Sequence, residues 1–153
     1  MNDIESGVIC RYIIHGVIVD VMPTDKSVLG FSNDWYPDGF LSAIETDLGN
    51  GTRVKIFSPA YFIASKLEAF HHRGKKDGRM SSDFEDIVYV LNNRNAIWDE
   101  LNSAPLKLKK WLQHEFRLLL KSGLLYEWVG VHLEYDERRR VNIIIGGLEQ
   151  FIR

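Results

Sequence analysis

Residues 58–91 read SPAYFIASKLEAFHHRGKKDGRMSSDFEDIVYVL, and the period of their apolar positions decides the fold. Ser58 followed by Pro59 pairs an N-cap with a residue suited to the first helical turn. Ile63, Leu67 and Phe70 then recur at helical spacing, and Gly74 is a natural stop. Ser82-Asp83-Phe84-Glu85 matches a capping box, after which Phe84, Ile87, Val88 and Leu91 line one helical face. The stretch predicts two helices joined by a short polar loop.

The same period places the charges. At about 100° per residue, Lys66 falls between Phe62 and Ile63, inside the apolar arc, and Arg73 lies on nearly the same stripe. A lysine aimed at the half-buried side needs an anionic partner, because burying its charge alone is costly; the ordinary alternative is a snorkelling stem with its ammonium in water. Asp83 and Asp86 are three residues apart and share one side of the second helix. They serve either to offset the helix dipole or to receive those two cations.

Upstream of Ser58 the pattern is that of strands. Val8 to His15 and Val17 to Met22 are rich in β-branched and aromatic residues, and His15-Gly16 between them predicts a hairpin. In the second strand the odd positions are valine, which puts Asp20 between Ile18 and Met22 on the other face. A carboxylate there calls for a metal, a cation or solvent at an edge. Asn33 to Gly39 reads as a loop with a helical turn. Ala43 to Leu48 and Thr52 to Phe57 flank Gly49-Asn50-Gly51, a second hairpin signal.

Downstream, helices are expected near Ile97 to Leu101, from Pro105 to Lys121, and over the face formed by Val141, Ile144, Ile145, Leu148, Phe151 and Ile152. Trp98, Trp111, Phe116 and Trp128 read as core. His71-His72 lack the i, i+4 spacing of helical metal ligands. Lys75-Lys76, with Arg73 and Arg79, make a basic loop. Arg138-Arg139-Arg140 read as a solvated start to the last helix, with RNA contact as the alternative.

The 153 residues carry 19 basic and 21 acidic side chains, so no global field recruits nucleic acid or an anionic membrane. The lone cysteine, Cys10, excludes an internal disulfide and a cysteine-based zinc cage. Met1-Asn2-Asp3-Ile4-Glu5 is acidic and has no apolar core of a signal peptide, and no apolar run approaches a membrane span. A cytoplasmic protein without membrane contact is expected.

Taken in order, these pieces resemble the nucleotidyltransferase-fold family of AbiEii/AbiGii-type toxins. The matching text is residues 16–25, then Leu29-Gly30-Phe31-Ser32-Asn33 with Trp35-Tyr36, then Ser58 to Phe62 running into Lys66-Leu67-Glu68-Ala69-Phe70. Arg73-Gly74, Ser82-Asp83 and Glu85-Asp86-Ile87 complete it. The resemblance implies transfer of a nucleotidyl group from an NTP to an RNA or protein acceptor, with Mg²⁺ held by strand carboxylates, and it implies an antitoxin. It implies that Asp20 is a metal ligand, that Lys66 faces the phosphates with Arg73 assisting, and that Asp83 and Asp86 belong to the catalytic group.

One departure bears on activity. No Gly-Ser followed by Asp-x-Asp occurs in the chain, although the family draws two metal ligands and two strands from such a segment. One carboxylate cannot neutralise a triphosphate as a two-metal cradle does. The expectation is therefore an α+β protein: a truncated nucleotidyltransferase-like sheet over residues 1–57, packed as one structural unit with a helical portion over 58–153. Transfer is expected to be impaired or absent in this chain, which leaves a non-catalytic module binding a partner protein or RNA as the alternative. An open sheet edge would invite a homodimer or a partner chain.

Overall fold

A computed structural model describes residues 11–21, 27, 32–73 and 77–153. The chain is α+β and separates into two compact units, 1–32 and 33–153. The second hairpin, expected with the residues before Ser58, therefore shares a unit with the helices. Val8 to Cys10 of the first expected strand, Met22 of the second, residues 23–25 and 28–31, Gly74 and Lys75-Lys76 lie outside the described residues.

In the first unit, β1 (Arg11–Ile14) pairs antiparallel with β2 (Val17–Asp20), in the register Arg11↔Asp20 to Ile14↔Val17. The two-residue turn has positive φ at both positions, 50° at His15 and 82° at Gly16. Such a turn twists with the strands it joins, which is why it closes hairpins. Glycine takes that conformation without strain, whereas His15 does so at some cost.

The second unit begins on a short anchor. Buried Asn33 donates from Nδ2 to the Ser65 carbonyl and accepts from the Trp35 amide, while the Asp34 amide donates to the Glu68 carboxylate. After it come α1 (Tyr36–Leu41), β3 (Ile44–Asp47) and β4 (Arg53–Ile56). β3 and β4 form a separate antiparallel pair, so among the described residues the single sheet expected before Phe57 is two hairpins. Each closes through its own turn: Asp47 and Asn50 cap the second loop by accepting from the Gly49 and Thr52 amides. Four-residue strands with local register need no common sheet.

Helices fill the rest: α2 (Pro59–Arg73), α3 (Ser82–Asn93), α4 (Ile97–Asn102), α5 (Leu106–Lys121), α6 (Leu125–Val131) and α7 (Val141–Phe151). The cap of α3 is shifted by one from the sequence pattern. Ser81 is the N-cap, and its hydroxyl accepts from the Phe84 amide. Ile63, Leu67, Phe84, Ile87, Leu112, Phe116, Ile144 and Leu148 are almost wholly buried in one core. Each such side chain contributes about 1.5–3 kcal/mol relative to exposure.

Three rings tie α2, α3 and α6 together: Phe70, Phe84 and Trp128 lie with centroids 5.4–5.8 Å apart. Gly78, in a 3-10 turn (Gly78–Met80), lies directly under the Trp128 indole, where a Cβ would find no room. Phe116 and Trp128 are buried as expected, whereas Trp98 and Trp111 pack on the core from its margin.

Candidate functional site

The α2–α3 pair brings four charged side chains together. α2 aims Lys66 and Arg73 at its partner because both sit beside the Ile63–Leu67–Phe70 stripe that packs on α3. The cap at Ser81 sets the rotation of α3 so that Phe84 and Ile87 face the core, and this carries Asp83 to the seam.

Asp83 is the buried member, with its side chain 4% exposed. Arg73 grips it with two parallel bonds, Nε to Oδ2 and Nη2 to Oδ1, both 2.8 Å. Lys66 Nζ stands 3.5 Å from Asp83 Oδ1 and 2.5 Å from Asp86 Oδ2. The same ammonium lies 5.5 Å from the centre of the Phe62 ring, a cation–π contact. Burial pushes the Asp83 carboxyl up, but the Arg73 bonds and charge together with Lys66 outweigh it and hold the group below the usual carboxylate range. Arg73 is raised in turn, chiefly by its hydrogen bonds to Asp83.

Two cations meet two carboxylates here, and the group is neutral as a whole. Asp83 is saturated and inaccessible, so its work is to lock α2 to α3. Of the other three, the side chains of Arg73 and Asp86 are exposed and that of Lys66 is half-buried, 26% exposed. The ammonium can leave Asp86 for another anion, such as a phosphate, without uncovering Asp83, because Arg73 remains on it.

Asp20 belongs to the first unit, where Arg11 takes both of its oxygens at 2.8 and 2.9 Å. That bonding holds its carboxyl below the usual range. Among the described residues no three His, Cys, Asp or Glu side chains gather as a metal site. The donor set described here, one carboxylate already held by a guanidinium, does not fit a two-metal cradle.

No family model, no curated protein and no solved structure matches this chain. Among the described residues, no helix is long and apolar enough to cross a membrane.

Two polar clusters escaped the sequence reading. Glu115, buried on α5, bonds His71 across the core edge at 2.7 Å. Its signal was faint: one acid on a helix otherwise basic. Arg140, read as solvated, instead donates to the Asn92 side chain and carbonyl, and Asn92 donates to Glu137. The bonds cap the C-terminal end of α3, whose last carbonyls need donors. A cleft of about 450 Å³ beside them is lined by Glu85, Tyr89, His132, Glu134, Asp136 and Glu137. It lies on the side of α3 turned away from Asp83, and so shares nothing with the Lys66 group.

Proposed function

We propose that this chain is a nucleotidyltransferase-like protein of the AbiEii toxin type that binds an NTP through Lys66. The observation that carries the reading is the division of labour at the α2–α3 seam. Arg73 holds buried Asp83 with two bonds, which leaves half-buried Lys66 closest to Asp86, an exposed carboxylate it can exchange for phosphate. The ordered run from Gly16 to Ile87 that resembles the family supports the ligand's identity. In this reading Asp86 holds the lysine in place between ligands, and Arg73 adds positive potential.

Transfer is a separate matter, since the residues described do not fit the family's metal pair. The pairing of Asp20 with Arg11 favours a second reading, a module that binds nucleotide or a partner without transferring anything. An antitoxin partner belongs to the first reading only.

Calorimetry with Mg²⁺–ATP and Mg²⁺–GTP, on wild type and Lys66→Ala, tests the nucleotide site. Wild type should bind, and the variant should bind at least about tenfold more weakly, the worth of one charge-assisted bond. No binding by wild type, or equal binding by the two, defeats the reading. Incubation with radiolabelled NTP and an RNA or protein acceptor then separates enzyme from module, and little or no transfer is expected.

A further inference from the structure

We propose that the outward face of α5 is a docking surface for the phosphate backbone of a nucleic acid. Lys107, Lys110, His114, Arg117 and Lys121 follow one another at steps of three and four residues. They therefore share an arc of about 80° and run about 21 Å along the helix. All but Arg117 are exposed, and Arg117 is half-buried at the margin.

No acid interrupts this face. Glu115 is the helix's single carboxylate, and it is buried against His71 on another side. Among the described residues, the side chains of Lys110, His114 and Lys121 make no hydrogen bond or ion pair. Lys107 reaches Asp38 only at 4.0 Å, and Arg117 donates from Nη2 to the Ile152 carbonyl.

Solvated helix faces ordinarily mix signs, because opposite charges at i, i+4 help and like charges cost a few tenths of a kcal/mol per pair. α5 does the reverse, and it also places Lys107, Lys109 and Lys110 at the end where the helix dipole opposes them. Both penalties are relieved by a linear polyanion lying along the helix. A polynucleotide presents one charge per nucleotide in such a line, and a row of cations tracking it supplies affinity without sequence preference. An anionic bilayer fits less well. The exposed leucines, Leu106 and Leu118, stand on opposite margins of the stripe, with the cations between them, and form no continuous strip to insert. The chain's net charge of −2 hides this face, because the acids lie elsewhere, four of them around the α3 cleft.

This proposal is independent of the nucleotide reading. Fluorescence anisotropy of the full chain against a labelled 20-nucleotide RNA, and against DNA of the same length, tests it. Four contacts to a single strand predict a slope of about −2.8 for log K against log salt, so that binding weakens about 50-fold from 50 to 200 mM. Lys110→Glu with Lys121→Glu should weaken binding at least tenfold at low salt and roughly halve the slope. Arg53→Glu with Lys55→Glu, on the exposed β3–β4 hairpin, changes net charge equally and should leave binding within about twofold. Circular dichroism verifies that both variants keep the wild-type fold. Four results would overturn the proposal: no binding, no salt dependence, equal loss in both variants, or binding to phosphatidylserine vesicles but not to either oligonucleotide. Salt-sensitive self-association without oligonucleotide binding would overturn it too, by giving the stripe to the acidic cleft of a second copy.

Discussion

Arg73 and Asp83 join the end of α2 to the start of α3 through two parallel hydrogen bonds of 2.8 Å, with the carboxylate buried and the guanidinium largely exposed. This pairing is asymmetric. Removing the arginine leaves the buried carboxylate with Lys66 alone, 3.5 Å away, whereas removing the aspartate returns Arg73 to water and leaves Lys66 on Asp86.

Arg73→Ala should therefore cost more than Asp83→Ala, at about 2 kcal/mol against about 1, after allowance for the exposed side of the pair. Arg73→Lys should recover little, since an ammonium cannot reproduce the two-pronged geometry. Urea unfolding of the two single variants and the double variant gives the coupling energy. A coupling near zero would reduce the contact to a surface pair.

Acid should weaken the same joint. The folded Asp83 carboxyl titrates below its unfolded value of about 3.8, so its contribution is complete above that value and is lost as pH falls through the folded one. Wild type should lose stability below about pH 4 more steeply than Asp83→Asn. Asp20 and Asp77 are also lowered, by bonds to Arg11 and Arg79, so the comparison must be the difference between wild type and variant. Melting temperatures between about pH 3 and 7 decide it; parallel curves would mean that Asp83 has no such role.

Gly78→Ala should destabilise the helical unit by about 1–3 kcal/mol, because the new methyl must displace the Trp128 indole that closes the Phe70–Phe84 cluster. Tryptophan fluorescence should shift with it. A variant as stable as wild type would show that the indole moves aside freely.

Much of this was legible in the residues. The period through Ile63, Leu67 and Phe70 located α2, and it also put Lys66 and Arg73 on the side that meets α3, since a helix is a rigid ruler for its own faces. His15-Gly16 marked a hairpin because few residue pairs accept positive φ twice. Other features left weaker traces. One serine beside another left the cap of α3 ambiguous by a residue. The pairing of Arg140 with Asn92 spans 48 positions, and nothing near Arg140 distinguishes it from its exposed neighbours.

The sequence by itself determined the α+β class, the longer helices and their apolar faces, which follow from local dihedral preference and spacing. It did not determine α6, and it left Lys66 open between an anionic partner and a snorkelling stem. Only the tertiary structure decided which anion each cation takes: Arg73 closes on Asp83, and Lys66 rests on Asp86. That choice depends on how two helices are rotated and slid against each other, which is set by packing of Phe70, Phe84 and Trp128 rather than by either helix alone. The same packing buried Asp83 and left Lys66 half-buried beside the exposed Asp86 side chain. It also settled that Glu115 is used up inside, so that the stripe on α5 faces outward with one sign of charge.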